Sequence, residues 1–207
     1  MKNQINAWQK WIKVLDEELS IEMAKAPSPS EIHAKDHILR VLKWCIELGK
    51  KLEADLEVVV AAAYLHDLGR HYINSEAHGG LGAEKALPVL ERIGFPPEKR
   101  AAVLLAIKVH DVAAIPEDRT SLESKILYDA DKIDALGVVG ILRYIRRLYG
   151  RISMDAILAD LDDRWNGLAL PETKELCRKD YEYIKDYFMR LKTALSTTDN
   201  ESWRTEK

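Results

Sequence analysis

The stretch YLHDLGRHY, residues 64 to 72, places a histidine and an aspartate side by side at the end of an apolar run, VVVAAAYL. A run that is apolar on every face predicts a helix in the core. One interpretation of its end is structural, because Gly69 would stop the helix and His66 would favour the negative end of the helix dipole. The other is a metal site at which the helix end presents a nitrogen and an oxygen ligand together. The rest of the chain is needed to choose between them.

Helical periodicity continues on both sides of this stretch, and no segment alternates with period two over a convincing length. The third helix is expected at about 55–68 and the fifth at 98–111. Pro88 lies inside a helical pattern at 80–93 and predicts a kink or a break, while Gly94 and two prolines form its stop. Residues 121–150 predict two helices that meet near Gly137. We therefore expect an all-α fold of about eight helices.

Length and composition favour one soluble domain. The 207 residues fit a single domain at 1–195, followed by a polar, disordered tail at 196–207. With 31 Lys plus Arg against 34 Asp plus Glu, the net charge of −3 predicts neither a nucleic-acid partner nor a membrane partner. Cys45 and Cys177 lack metal or redox spacing and suit reduced packing residues in a cytoplasmic protein. The amphipathic first 20 residues lack the apolar core of a signal peptide.

The histidines and three aspartates carry the chemical signal. All six histidines fall within one window of the chain: His33, His37, His66, His71, His78 and His110. Several lie where predicted helices begin or end, so that side chains from different helices can converge. Downstream, YDADKIDALG (128–137) sets Asp129, Asp131 and Asp134 among core residues, where carboxylates are costly to bury without a cation or hydrogen-bond donors. A mixed set of imidazoles and carboxylates suits Mn²⁺, Fe²⁺, Co²⁺, Ni²⁺ or Mg²⁺ better than a closed structural zinc site.

These residues, taken in order, resemble the H…HD…D signature of the HD-domain superfamily of metal-dependent phosphohydrolases. The resemblance runs from about residue 33 to residue 140 and includes DHILRV (36–41), HGGLGAEKA (78–86) and AIKVHD (106–111). It implies an HD-type helical bundle with a metal site at its centre. The ligands that it implies for one divalent metal are His37, His66, Asp67 and Asp131. Asp131 is preferred to Asp129 because the family's aspartate is followed by Lys and Ile, as here.

The resemblance implies further roles around those ligands. Asp129 and Asp134 would orient ligands or cap neighbouring helices. His78 and His110 would bind a second metal, contact the substrate, act as a proton donor or serve a structural role. Three cations are candidates to hold substrate phosphates, although each could equally be a solvated helix residue: Arg40, Arg70 and Lys132. The chain departs from the family's H-D-x-x-H opening at 33–37, which leaves the role of His33 open, and His71 is expected at the surface or in a loop.

The resemblance implies a hydrolase of a small phosphorylated molecule, most plausibly a nucleotide, that works by attack of metal-bound water on phosphorus. Asp67 and His66 would activate that water. Pyrophosphohydrolase, nucleotidase and phosphodiesterase activities are all open, although DVAAIP after His110 lacks the GYP motif of cyclic dinucleotide hydrolysis. A binuclear iron oxygenase on the same helical core is one alternative. Others are a non-catalytic binding or signalling module and a purely structural set of core histidines. Aromatic residues on the terminal helices would permit a homodimer.

Overall fold

The computed structural model describes residues 6–25, 35–73, 77–111, 116–147 and 150–196, and within these ranges it is helical and contains no strand. The predicted all-α class is confirmed. The α-helices are Gln9–Lys25 (α1), Lys35–Lys51 (α2), Leu56–Leu65 (α3), Gly79–Arg92 (α4), Pro97–Lys108 (α5), Leu122–Leu136 (α6), Val138–Arg147 (α7), Met154–Asn166 (α8) and Pro171–Ser196 (α9). Two 3₁₀-helices, His66–His71 and Pro116–Asp118, complete the described elements.

The chain divides into two compact units, Met1–Asp131 and Lys132–Lys207. In the first unit, α3 lies in the core and packs against α1, α2 and α5, while α4 packs against α5 and the first 3₁₀-helix. In the second unit, α9 packs against α7 and α8. The organisation of residues 1–195 as one domain stays a prediction. Within the ranges that the structure describes, no helix is long and apolar enough to cross a membrane.

Helix α3 begins at a capped N-terminus and is buried from Val58 onward. The Asp55 carboxylate accepts hydrogen bonds from the backbone N–H groups of Glu57 and Val58, which satisfies donors that the helix leaves open. The helix ends at Leu65, earlier than the predicted residue 68, because the backbone tightens into the first 3₁₀-helix. His66 and Asp67 therefore lie on that tighter helix and not on α3 itself.

Gly69 serves a different purpose from the helix stop that the sequence suggested. It lies inside the first 3₁₀-helix, and a Cβ placed on it would collide with the backbone oxygen of His78 and lie 2.8 Å from the backbone nitrogen of Gly82. A side chain at this position would force two backbone segments apart. Glycine is required here because α4 approaches so closely.

Pro88 does not break α4, which continues from Gly79 to Arg92. The proline removes one backbone hydrogen bond, to the carbonyl of Glu84. Both residues are exposed, so water can satisfy that carbonyl. The predicted stop after α4 is confirmed, since Gly94 adopts a φ of 67° and Pro97 begins α5.

Candidate metal centre

Four histidines and two aspartates converge within the first unit, although they come from five separate places in the chain. His37 lies on α2, His66 and Asp67 on the first 3₁₀-helix, and Asp131 on α6. His78 is the N-cap residue of α4, and His110 follows Val109, the C-cap residue of α5. All of these side chains are buried except that of Asp131, which is 15% exposed. Six groups of this kind rarely share a buried site without a ligand to organise them.

The Asp67 carboxylate lies at the centre of the cluster, and its two oxygens face different histidines. Oδ2 is 3.6 Å from His37 Nε2 and 3.5 Å from His66 Nε2. Oδ1 is 3.0 Å from His78 Nε2 and 3.8 Å from His110 Nε2. The carboxylate therefore belongs to two groups of possible ligands, one on each side.

Two triads have ligand atoms that all lie within 4.8 Å of one another: His37–His66–Asp67 and Asp67–His78–His110. Asp131 adjoins the first triad, because its Oδ1 lies 3.2 Å from His37 Nε2. Imidazole nitrogens and carboxylate oxygens form the donor set that Mn²⁺, Fe²⁺, Co²⁺ and Ni²⁺ accept. By donor chemistry and spacing, these residues fit a divalent cation.

Backbone carbonyls orient two of the rings. His66 Nδ1 lies 2.8 Å from the Ala63 oxygen, and His110 Nδ1 lies 2.5 Å from the Ile107 oxygen. A carbonyl can only accept a hydrogen bond, so each Nδ1 carries the proton, and in the neutral ring Nε2 keeps its lone pair. Both Nε2 atoms face the cluster centre. The last turns of α3 and α5 thus prepare two nitrogens as ligands.

The environment keeps His66 neutral. Burial lowers the pKa of His66 to about 3, because a charged ring would lose its hydration; nearby Asp67 opposes this shift, and His110 and His37 add to it. Among the described residues, His66 Nε2 is buried without a hydrogen-bond partner. A neutral imidazole whose inward nitrogen lacks a partner is the form that binds a metal. This atom supports the fit to a cation most directly.

The other residues singled out from the sequence take varied positions. Arg70 donates a hydrogen bond from Nε to Asp67 Oδ1 at 3.2 Å and is 16% exposed, so it lies at the rim of the cluster. Arg40 lies on α2 and is half-buried. Three residues lie along α6: Asp129, Lys132 and Asp134, all buried. Within the second unit, Asp134 forms an ion pair with Arg143 at 2.6 Å.

The expectation that His71 lies at the surface is wrong, since this side chain is buried. In a 3₁₀-helix, residues three apart lie above one another, and His71 falls on the same buried face as Leu68. His33 and the tail after residue 196 lie outside the described residues.

Sequence analysis did not assign a role to Asp111 or to Arg119, and both are buried beside the cluster. Asp111 Oδ2 accepts a hydrogen bond from the backbone N–H of Gly79 at 2.7 Å and lies 3.8 Å from His78 Nδ1. Arg119 donates to the Asp111 backbone oxygen at 3.1 Å. A signal for Asp111 was available, because residues 110–111 repeat the His-Asp dipeptide of residues 66–67.

The ordered histidines and aspartates lie in a part of the chain that matches a known family. The profile of the HD domain family matches residues 35–136, a range that contains all six residues of the cluster. The chain therefore contains an HD domain.

Two curated relatives come from Bacillus subtilis (strain 168). The chain is 31% identical to "Uncharacterized protein YpgQ" over 114 residues, which are 54% of this chain and 55% of that protein. It is 27% identical to "Putative phosphohydrolase YueE" over 113 residues, which are 47% of this chain and 64% of that protein. The similarity thus spans between half and two thirds of each relative.

Solved structures share the fold over nearly the whole chain. An HD-superfamily hydrolase from Bacillus thuringiensis superposes with a TM-score of 0.70 at 21% identity and covers 97% of this chain and 100% of that one. Bacillus subtilis YpgQ, solved in complex with ADP, superposes with a TM-score of 0.68 at 23% identity and covers 87% of this chain and 97% of that one. At these identities the likeness concerns the fold alone.

Proposed function

We propose that the chain is a metal-dependent phosphohydrolase that acts on a nucleotide. The observation that carries the proposal is the buried Asp67 carboxylate, which belongs to both triads of possible ligands in a chain that contains an HD domain and resembles a putative phosphohydrolase. Burying this many imidazoles and carboxylates is costly, and a bound cation would offset that cost.

A first cation would be held by His37, His66, Asp67 and Asp131. A divalent ion in this position would lower the pKa of a bound water from 15.7 toward about 7 and offset charge on phosphoryl oxygens. The protein residues prepare that chemistry. The Ala63 carbonyl fixes the His66 ring, and Arg70 holds one oxygen of Asp67 so that the other faces His37 and His66.

His78 and His110 form the second triad with Asp67. This geometry supports a second cation, for which Asp67 would again be one of the ligands. If only one cation binds, His78 and His110 are candidates to contact a phosphate or to donate a proton; His110 could donate from Nε2 only in its doubly protonated form, since its Nδ1–H faces Ile107. Metal stoichiometry distinguishes these two roles.

The proposed route for substrate passes Asp131, which is the most exposed residue of the cluster, and Arg70, which lies at its rim. A guanidinium at this rim suits a phosphate, because it can donate two parallel hydrogen bonds. Arg40, three residues after His37, and Lys132, next to Asp131 in the sequence, are further phosphate-binding candidates. Nucleotide is the proposed substrate class, and the complex of the structurally similar YpgQ with ADP supports it. Release of pyrophosphate from a nucleoside triphosphate is the reaction that we put first, ahead of nucleotidase and phosphodiesterase activities.

The setting that we propose is cytoplasmic, without a nucleic-acid or membrane partner. The net charge of −3 and two buried free cysteines, Cys45 and Cys177, support it. A homodimer stays a prediction.

The test is a metal-reconstitution assay. Protein stripped with a chelator is reloaded with Mn²⁺, Co²⁺, Ni²⁺ or Mg²⁺ and assayed against phosphomonoesters, cyclic nucleotides and nucleoside triphosphates. The inactive variant is Asp67→Asn, which keeps the side-chain shape but loses the charge. Asp118→Asn, at an exposed position, is the matched control. We expect phosphate or pyrophosphate from the wild type and the control, and a loss of at least about a hundredfold in Asp67→Asn.

A second candidate, a binuclear iron oxygenase, is favoured only by the second triad. Two bound irons, oxygen consumption and no phosphate release would support it and overturn the hydrolase. A wild-type protein that binds none of these metals and hydrolyses none of these substrates would instead leave a non-catalytic binding module.

A further inference from the structure

Arg119 carries a buried positive charge beside the metal centre. It directly follows the second 3₁₀-helix and is 5% exposed. A guanidinium is not deprotonated in proteins, so its burial is costly unless its N–H groups and its charge find partners. Two contacts of Arg119 within the first unit meet this need, and they lie on different elements.

One contact is with the chain just after α5, residues 109–111. Arg119 Nη2 donates a hydrogen bond of 3.1 Å to the Asp111 backbone oxygen. The Asp111 carboxylate in turn accepts a hydrogen bond of 2.7 Å from the backbone N–H of Gly79. Asp111 and Gly79 each directly follow a histidine of the second triad. Through two hydrogen bonds in series, Arg119 thus holds the backbone beside both histidines.

The other contact is with α6. The guanidinium carbon of Arg119 lies over the Tyr128 ring, 3.7 Å from its centroid. At this distance a guanidinium stacks on the aromatic face and is attracted by its negative charge. Tyr128 lies three residues before Asp131, so the two side chains leave neighbouring turns on one side of α6. Asp131 Oδ1 in turn lies 3.2 Å from His37 Nε2, beside the first triad.

We propose that Arg119 is a positioning residue for the metal centre, because it joins residues 109–111, which include His110, to the turn of α6 before Asp131. A guanidinium can make both contacts at once, since its N–H groups donate within its plane and its face is left for the ring. Arg119 itself contacts neither metal nor substrate in this role. The inference rests on the proposed metal centre.

Lysine is the informative substitution at this position. Arg119→Lys keeps the charge, but an ammonium is compact and lacks the planar fork, so it cannot reproduce the stacking and the directed hydrogen bond together. Arg100→Lys is the matched control. Arg100 also donates to a backbone oxygen, that of Phe95 at 2.9 Å, but it lies near the start of α5, at the opposite end from residues 109–111.

The first test titrates Co²⁺ into the metal-free full-length protein and follows binding by visible absorption. Arg119→Lys should bind Co²⁺ about 10- to 100-fold more weakly than the wild type, which is the usual loss when a group that orients metal ligands is removed. Arg100→Lys should keep the wild-type affinity. Melting temperatures show whether each variant is folded. If Arg119→Lys does not fold, Tyr128→Leu, which removes the ring, takes its place in the test.

A thermodynamic cycle tests whether Arg119 and Tyr128 act through one contact. Arg119→Lys and Tyr128→Leu should each weaken Co²⁺ binding. The double variant should lose little more than the more affected single variant, because the contact is already lost. Tyr128→Phe keeps the ring face and should retain most of the affinity. Losses of binding free energy that add in the double variant would contradict a joint role.

The last test needs no metal. The exchange rate of the Gly79 amide hydrogen reports on its bond to Asp111, and therefore on how firmly residues 109–111 are held. In Arg119→Lys this hydrogen should exchange at least about 10-fold faster than in the wild type, while the amides of the buried α3 keep their rates, because the loosening is local. Equal acceleration at Gly79 and in α3 would show a loss of overall stability and would refute the positioning role.

Together the measurements separate two kinds of failure. If the wild type binds Co²⁺ and a folded Arg119→Lys protein binds it equally well, the metal centre stands and the role of Arg119 is wrong. If the wild type binds no Co²⁺, the proposed function fails, and the role of Arg119 toward a metal fails with it. Exchange at Gly79 then still decides whether Arg119 holds residues 109–111 in place.

Discussion

Both cysteine side chains of this protein are buried, and their burial determines how reactive their thiols are. Cys45 lies two turns after His37 on α2, close enough to the cluster for Asp131 to act on it. Burial, followed by the charge of Asp131, raises the pKa of the Cys45 thiol far above its ordinary value. Cys177 is also fully buried. Since the thiolate is the reactive form, neither cysteine suits a nucleophile.

We predict that the folded protein does not react with an aromatic disulfide reagent at neutral pH. Both thiols should become reactive in denaturant, and native modification should be on the order of a hundredfold slower or more, because it requires opening of the core. The measurement is the released thiolate chromophore over time. Rapid modification of one native thiol would mean that Cys45 or Cys177 is accessible.

At the scale of elements, an ion-pair group holds α1, α3 and α5 together. The Glu57 carboxylate on α3 accepts from Lys99 of α5 at 2.7 Å and from the Trp11 ring of α1 at 2.8 Å. The hydrogen bond from Lys99 is the main cause that lowers the pKa of Glu57, and Trp11 adds to it against the opposing effect of burial. A carboxyl whose folded pKa is depressed stabilises the fold above its unfolded pKa and loses that contribution as pH falls through the folded value.

Glu57→Gln should therefore lower the free energy of unfolding at pH 7 by about 1.5–3 kcal/mol, the usual size for a hydrogen bond to a charged group. The two proteins should converge as the pH falls through the depressed folded pKa of Glu57, because the wild-type carboxylate is then becoming protonated as well. Urea unfolding at a series of pH values measures this, with the exposed Glu47→Gln as control. If Glu57→Gln lowers the free energy of unfolding by the same amount at every pH, the loss comes from altered packing and not from the charge of Glu57.

The contact between the first 3₁₀-helix and α4 is the second feature at this scale, because it brings Asp67 and His78 together. Gly69→Ala should destabilise the protein by about 1–3 kcal/mol, the usual cost of overpacking, since its Cβ would collide with backbone of the segment that begins α4. Metal affinity should fall as well.

Gly80→Ala provides the matched control, because a Cβ there meets nothing within 4 Å. That variant should be neutral or more stable by up to about 1 kcal/mol. Thermal unfolding compares the two. A Gly69→Ala protein as stable as Gly80→Ala would show that the close approach can relax at little cost.

For the molecule as a whole, a metal held by ligands from five places in the chain should stabilise the folded state. At a free metal concentration one hundred times Kd, binding to the folded state alone adds about 2.7 kcal/mol. For a protein of this size, that corresponds to a rise in Tm of roughly 5–11 °C. Differential scanning fluorimetry with metal and with excess chelator measures the difference, and Asp67→Asn should show almost none. Equal melting temperatures in the wild type would contradict binding at this site.

Much of the fold was predictable from periodicity and turn signals, because helix patterns and the stop at Gly94 are local properties. The convergence of His37, Asp67 and Asp131 was not, since 30 and 64 residues separate them along the chain and only tertiary packing joins them. Resemblance to the HD signature supplied that step. His71 was misplaced because a loop was expected after residue 68, whereas the chain continues there as a 3₁₀-helix that buries this side chain. Asp111 was missed because its role depends on α4 meeting α5.

The carbonyl that orients His66 also affects how the protein exchanges protons with its surroundings. Nδ1–H is committed to Ala63, and with a pKa of about 3 the ring carries no second proton at neutrality. A cation that binds His66 then displaces no proton. An exposed histidine is partly protonated on the acid side of neutrality, so it would have to release a proton before it could bind the cation. His66 therefore adds no buffer-dependent heat to a calorimetric titration. Mild acidification of the solution would leave His66 Nε2 unprotonated and able to bind a cation.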